Sequence, residues 1–224
     1  MATASSTDRA PTIGPFRINT DYEAHVIRRS LPRPLVSGEP LAIVWHCIGA
    51  GAARFNGQQI ADRLSRGILG STSWHYTIDK DGSIYQHVPT DMQANHCATD
   101  TQPYLNERGD WRTETPTHNL RKAPSYQWWQ DAHPGMASPV EAYPKLFQFG
   151  VGSINKCTLG VEFMATSGEE LTTPQLIAAE FLAKVVHPDL DHCSHSDLQP
   201  HRRNRWDLSP EQWAQLNKHL SPLF

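Results

Sequence analysis

Ser194-His195-Ser196-Asp197-Leu198-Gln199-Pro200-His201-Arg202-Arg203-Asn204-Arg205-Trp206-Asp207 is the stretch on which the reading of this chain turns. It gathers imidazole, basic and acidic side chains into one proline-bearing loop between two helical segments. A core does not require that composition, and a merely solvated loop has no reason to bring His195 and Asp207 back toward each other. Both are metal-ligand types. If the two hold a zinc ion, a third ligand must come from elsewhere in the chain, because an open catalytic zinc site takes three protein ligands and leaves one position for water. The candidate is His46.

His46 closes the run Leu41-Ala42-Ile43-Val44-Trp45-His46, an apolar, β-branched and aromatic segment followed by Gly49-Ala50-Gly51. Such a run reads as a buried strand. A histidine at its exit stands where a sheet presents working residues to a cleft. A core histidine donating to a carbonyl is the plainer alternative, and the residues alone leave both open.

Bulk properties narrow the class. With 224 residues, 38% hydrophobic and 19% charged, the chain suits one α/β domain with long loops. A net charge of -3 gives no broad basic field for nucleic acid or an anionic membrane, and no segment is apolar enough to span a bilayer. The first fourteen residues lack the hydrophobic stretch of a secretory signal. The expectation is therefore synthesis in the cytoplasm as a monomer, with a phage or secretion apparatus as the route to any target outside. The cysteines Cys47, Cys97, Cys157 and Cys193 form no CxxC pair, so buried reduced thiols are expected. Cys193, two residues before His195, is the one weighed as a soft metal ligand.

Residues 1–39 read as an irregular N-terminal arm, and 40–224 as the domain. In 57–68, Ile60, Leu64 and Ile68 share a helical face. Trp74-His75-Tyr76-Thr77-Ile78 and Ser83-Ile84-Tyr85-Gln86-His87-Val88 flank Asp79-Lys80-Asp81-Gly82, which predicts a β-hairpin. Asn95-His96-Cys97-Ala98 follows. From about 100 to 152, prolines and aromatics such as Trp128 and Trp129 leave little room for regular helices, which predicts a long irregular insertion walling a groove or pinned to the domain.

Thr158-Leu159-Gly160-Val161-Glu162-Phe163-Met164 alternates as a strand, with Leu159, Val161 and Phe163 on one face and Gly160, Glu162 and Met164 on the other. Glu162 is then a carboxylate in an apolar strand, where carboxylates are rare unless paired or employed. A catalytic or metal-proximal role and a structural salt bridge are the two readings. A helix opened by Thr172 or Thr173 carries Leu176, Ala179, Phe181, Leu182, Val185 and Val186, and Pro188 ends it. Ser209-Pro210-Glu211-Gln212 is a capping box for a last helix whose Trp213, Leu216 and Leu220 face inward.

The order of these pieces resembles the zinc-dependent N-acetylmuramoyl-L-alanine amidases, the family of AmpD-type recycling enzymes, phage T7-type lysozymes and peptidoglycan recognition proteins. The pieces are a strand ending in His, a helix, a Ser-x-His-Tyr hairpin with an Asp-Gly turn, Asn-His-Cys, a Leu-Gly-Val-Glu strand, a helix, and a His-Ser-Asp-Leu-x-Pro loop ending in Asp. They cover roughly 40 to 98 and 155 to 220. The resemblance implies a central mixed β-sheet flanked by helices. It also implies zinc ligands at His46, His195 and Asp207, Glu162 as the carboxylate handling the attacking water, and Trp74, His75 and His96 in the cleft wall beside the substrate.

The implied reaction is hydrolysis of the amide joining N-acetylmuramic acid to L-alanine of the peptidoglycan stem peptide, in cell-wall degradation or muropeptide recycling. A non-catalytic muropeptide-binding protein, and a phage lysin or injected toxin using the same chemistry, are the alternatives. Two departures stand out. AmpD-type members show Pro-Gly-Arg-Lys after the turn and a lysine two positions before the ligand aspartate, where this chain reads Pro200-His201-Arg202-Arg203 and Arg205 in a longer loop. Anchored on the aspartate, Arg205 takes the lysine's place as an oxyanion stabiliser; anchored on the turn, Arg203 does. Trp74 stands where T7-type members have tyrosine.

Overall fold

The computed structural model describes residues 16–18, 34–49, 54–69, 72–97, 104–105, 111–112, 131, 134–136, 142–147, 154–198 and 207–221. Its centre is a six-stranded sheet built from β1 (Phe16–Ile18), β2 (Ala42–Cys47), β3 (Tyr76–Ile78), β4 (Ile84–Gln86), β7 (Thr158–Phe163) and β8 (Asp191–Ser194), in the order β1-β4-β3-β7-β2-β8. Only β3 and β4 pair antiparallel; the other neighbours are parallel. The expected mixed sheet flanked by helices is what the chain forms. The arm contributes more than an irregular wrap, since Phe16–Ile18 extends the sheet as an edge strand beside β4. Within the long insertion, β5 (Tyr104–Leu105) pairs with β6 (Trp111–Arg112), and a turn of helix, α2, covers Pro144–Phe147. Trp128 and Trp129 lie outside the described residues.

Alternation along β2 and β7 sorts the side chains onto two faces. Ile43, Trp45, Cys47, Leu159, Val161 and Phe163 meet Leu176, Ala178, Leu182, Leu216 and Leu220 in the main core, beneath α3 (Thr173–Phe181) and α5 (Pro210–Leu220). The opposite face packs Ala42 and Val44 with Cys97, Leu146, Ile154 and Leu198. Helix α1 (Gly57–Ser65) buries Ile60 and Leu64 against Trp74, Val88 and Met164.

Helix ends follow local chemistry. Thr172 and Ser209 each form a capping box, with Gln175 and Gln212 reaching back to the cap backbone, so the orphan donors of the first turn are satisfied reciprocally. Asn56 and Gln59 do the same for α1, a signal that reading the apolar face alone passes over. The apolar helical face expected to run through Ile68 is corrected. Ile68 lies past Gly67, whose φ of 64° turns the chain out of the helix, and it is 53% exposed. After Phe181 the helix widens into a π-turn over Leu182–Val186, which rotates Val185 out to 66% exposure and leaves Val186 outside the core as well.

Gly82 closes the hairpin turn with φ 81°, its amide donating to the Asp79 carbonyl at 2.9 Å. A Cβ there would meet the Pro174 carbonyl oxygen at 2.8 Å, whereas at Gly168, φ 83°, a Cβ would meet nothing within 4 Å. Both positions carry the left-handed penalty of about 1–2 kcal/mol for an L side chain, but only Gly82 adds a collision with the start of α3. Urea denaturation is expected to give a loss of about 1 kcal/mol for Gly168→Ala and about twice that or more for Gly82→Ala. Equal losses would mean that the hairpin–α3 contact yields freely.

Candidate active site

Three neighbouring parallel strands, β7, β2 and β8, finish at the same edge of the sheet. Open α/β sheets bind ligands outside the carboxyl ends of such strands. His46 is the penultimate residue of β2 and Glu162 that of β7, and the two stand opposite each other in register, so both side chains leave the same face. His195 follows β8 directly and opens the one-turn helix α4 (His195–Leu198). Asp197 stays in that turn. Its carboxylate accepts from the Ser194 amide at 3.2 Å and from the Tyr143 hydroxyl at 3.3 Å, while the Asp197 amide donates to Ser194 Oγ at 3.0 Å.

Asp207 arrives from the other end of the loop. Burial of Leu208 in the main core and the Ser209 cap of α5 fix its position. Its Oδ1 lies 3.2 Å from His46 Nδ1 and its Oδ2 3.1 Å from His195 Nδ1, and the carboxylate is 1% exposed. Among the described residues neither oxygen receives a hydrogen bond of proper geometry, although both sit at ion-pair distance. Donor atoms of His46, His195 and Asp207 all fall within 4.8 Å of one another. Zinc ligands at about 2.0–2.1 Å on a tetrahedron stand about 3.3 Å apart, so the two contacts match the spacing of a ligand set.

Charge tells the same story. Burial alone would discharge His46, but the neighbouring Glu162 and Asp207 raise its pKa to about 9. His195 is likewise held well above the ordinary range: burial opposes its charge, and Cys97 and Asp207 outweigh that. Asp207 is held well below the usual carboxylate range, because the charge of His195 overcomes burial. The pocket is complementary to positive charge, which two imidazolium protons supply here and a divalent cation would supply in their place.

Behind His46 runs a hydrogen-bond relay that orients its ring. Thr158 Oγ1 donates to the Ile154 carbonyl at 2.7 Å, so the same oxygen accepts from His96 Nε2 at 3.2 Å. His96 is thereby protonated on Nε2, and its Nδ1 faces His46 Nε2 at 3.1 Å as acceptor. Burial lowers the His96 pKa and keeps that ring neutral. The relay leaves His46 donating through Nε2 and turns its Nδ1 toward Asp207, the arrangement by which an outer partner fixes a ligating imidazole. Gly160 makes room for it: a Cβ there would lie 2.4 Å from His96 Cγ.

The residues assigned to a cleft wall sit deeper than expected. Trp74, His75 and His96 are 3%, 0% and 4% exposed. His75 Nδ1 accepts from the Gly160 amide at 2.9 Å, leaving Nε2 to donate to the Met92 carbonyl at 2.8 Å, and burial lowers its pKa to about 3. Trp74 Nε1 donates to Thr77 Oγ1 at 2.7 Å. These side chains brace the β7 edge and the hairpin from inside. Arg205 and Arg203 lie outside the described residues.

Two further residues, Asn155 and Cys97, belong to the surroundings of the site. Asn155 accepts from the Cys97 amide and donates to the Cys97 carbonyl, both at 2.8 Å, and so docks the His96-Cys97 segment. Cys97, not Cys193, is the thiol beside His46, His96 and His195: Cys193 Sγ faces the Ile43 carbonyl in the core, while Cys97 Sγ lies 3.3 Å from His96 Nδ1. Burial opposes the charge of the Cys97 thiol, and His195 and His96 draw it below the ordinary range. The signal was present in the adjacency of Cys97 to His96. All four thiols are free and buried, as expected.

No match was found among curated protein sequences. Among solved structures, the endolysin of Thermus scotoductus bacteriophage Ph2119 aligns with a TM-score of 0.50 at 12% identity, covering 92% of this chain and 99% of that one. At this identity the likeness speaks to the fold. An AmpD derivative aligns at TM-score 0.49 and 18% identity over 82% of this chain and 86% of that one. For the endolysin N-acetylmuramoyl-L-alanine amidase LysCS of Clostridium intestinale the TM-score is 0.47 at 16% identity, over 92% and 98%. The family model for N-acetylmuramoyl-L-alanine amidase matches residues 37–219, and the chain belongs to that family.

Proposed function

We propose that this protein is a zinc-dependent N-acetylmuramoyl-L-alanine amidase that hydrolyses the amide between the lactyl group of N-acetylmuramic acid and L-alanine of the stem peptide. The observation that carries the reading is the convergence of His46, His195 and Asp207 at 3.1–3.2 Å beside Glu162, the register partner of His46. Zinc held by these three residues supplies Lewis acidity toward water and the scissile carbonyl.

The chain's own groups do the rest. Glu162 takes a proton from the water that attacks the carbonyl carbon, and returns it to the nitrogen as the carbon–nitrogen bond breaks. The products are the lactyl carboxylate and a peptide with a free L-alanine amine. The His96 relay holds His46 in one tautomer throughout, so no reorganisation of that ring accompanies the reaction. Arg205 is assigned to the oxyanion on the resemblance alone, with Arg203 as its competitor. The substrate is peptidoglycan or a soluble muropeptide, and no helix among the described residues is long and apolar enough to cross a membrane. Lysis of the wall after release by a phage or secretion apparatus, and recycling of soluble fragments inside the cell, are the two settings proposed for this activity.

The test is incubation of metal-analysed protein with purified sacculi and, separately, with a soluble anhydromuropeptide, followed by mass spectrometry for peptides bearing a free L-alanine amine. Release that stops with a chelator and returns with zinc supports the amidase, and the faster substrate separates wall lysis from recycling. Bound zinc with no release from either substrate would instead identify a muropeptide-binding protein.

His195→Ala is expected to lose bound zinc by elemental analysis and with it all turnover. Glu162→Gln is expected to retain zinc while kcat falls about 10²–10⁴-fold, the usual contribution of a general acid–base. Undiminished turnover in Glu162→Gln would remove the carboxylate from the mechanism.

A further inference from the structure

The His46 ring has donors on both sides. Its Nδ1 faces Asp207, and its Nε2 lies 3.1 Å from His96 Nδ1, which is in turn 3.3 Å from Cys97 Sγ. The donor atoms of His46, His96 and Cys97 lie within 4.8 Å of one another, and all three residues are buried. We propose that His46, His96 and Cys97 form a second metal position, which takes a thiophilic ion such as Zn2+, Cd2+ or Cu+ and is distinct from the His46–His195–Asp207 position.

Three observations carry this beyond a cysteine that happens to lie near histidines. The first is donor preparation. Thr158 spends its hydroxyl proton on the Ile154 carbonyl and accepts the Nε2 proton of His96, so the lone pair of neutral His96 is on Nδ1 and directed into the cluster. The second is rigidity. Asn155 clamps the backbone of Cys97 through two hydrogen bonds of 2.8 Å, and Gly160 leaves the hollow in which the His96 ring lies. A preformed cluster avoids the ordering cost that a surface cysteine and two histidines would meet.

The third is spacing. Ligands at about 2.0 Å for nitrogen and about 2.3 Å for sulfur stand about 3.3–3.6 Å apart on a tetrahedron. The observed 3.1 and 3.3 Å need an opening of only about 0.3 Å to admit the ion. A set of two imidazoles and a thiolate selects soft or borderline ions over magnesium or calcium.

Binding at this position has a chemical balance. The ion takes the lone pairs of His46 Nε2, His96 Nδ1 and Cys97 Sγ; His46 Nε2 gives up its proton, Cys97 binds as the thiolate, and no proton leaves His96. Since Nε2–H is the bond by which His96 orients His46, occupancy of the second position removes the contact that sets up the first. The two positions are therefore coupled through one ring, and excess thiophilic metal acts as an antagonist of the amidase site. The antagonism rests on the proposed amidase function; the site itself does not.

Cadmium separates the two, because only a thiolate ligand gives the ultraviolet thiolate-to-cadmium charge-transfer band. Zinc-loaded full-length protein titrated with Cd2+ is expected to develop that band. Cys97→Ser, Cys97→Ala and His96→Ala, each checked for native circular dichroism, are expected to lose it, and Asp207→Asn, which cripples the first position, to keep it. Using both Cys97 variants guards against one of them failing to fold. No band in the wild-type protein, or a band that survives in Cys97→Ser, would overturn the proposal. A band abolished by Asp207→Asn as well would also overturn it, by making Cys97 a ligand of the first ion. None of these readouts depends on whether the protein cleaves peptidoglycan.

Discussion

The carboxylate of Asp207 is taken out of water and set between two imidazole nitrogens, and much of the chain is arranged around that burial. An isolated buried carboxylate is destabilising by several kcal/mol unless positive charge and polar contacts replace its hydration. The compensation comes from two separate strands: His46 on β2 and His195 at the exit of β8, at 3.2 and 3.1 Å. Those strands are adjacent and parallel, which is what brings two residues 149 positions apart in the chain to the same edge. The acid itself is tied to the far end of the molecule, because Leu208 enters the main core and Ser209 caps α5. The charged contacts of Asp207 thus add to the packing of Leu216 and Leu220 in joining sheet and last helix.

Burial does not treat every histidine alike, and the contrast divides this face of the protein into two regions. Under the hairpin, His75 and His87 are both lowered to about 3 by burial. His75 bridges the Gly160 amide and the Met92 carbonyl. Thr77 accepts the indole proton of Trp74 and so has its own hydroxyl proton to give to His87 Nε2 at 2.9 Å. That region is neutral and its hydrogen bonds are complete. At the strand ends, equally buried His46 and His195 are raised because carboxylates and Cys97 surround them. Solvent exposure does not explain the difference; the sign of the neighbouring charge does. Opposite environments that meet at one ring, His96, whose centroid lies 6.0 Å from that of His75 and 5.3 Å from that of His46, are a common mark of a functional site.

Much of this was legible in the residues. Strands with an apolar face and one out-of-place polar residue announced His46 and Glu162, and the pairing of those two across β2 and β7 follows once both are seen to end strands. The capping box at Ser209 and the Asp-Gly turn were equally local signals. Illegible features share a physical cause: they depend on contacts between distant segments. Nothing in Ile154-Asn155-Lys156 foretells that Asn155 will clamp Cys97, and nothing in Gly160 foretells that a ring from residue 96 will fill its hollow. The exposure of Val185 and Val186 has a different cause. Periodicity assumes 3.6 residues per turn, and a π-turn breaks that phase.

The placement of His96 carries the last step. An imidazole that is to hold a metal, as proposed for His46, needs an acceptor on its far nitrogen, and a backbone carbonyl would serve. Here the acceptor is another neutral imidazole, itself oriented by Thr158. Unlike a carbonyl, that acceptor can be taken away: a group that occupies Nδ1 of His96 deprives His46 of its partner without touching Asp207 or His195. Such a group must be small and must bind nitrogen in competition with a hydrogen bond, which describes a metal ion better than an organic ligand in a space this closed. Cys97, held at 3.3 Å from the same nitrogen, adds a thiol where a small apolar side chain would have sufficed for packing. The relay that fixes the tautomer of His46 is thus also the point at which the site is open to chemical interference.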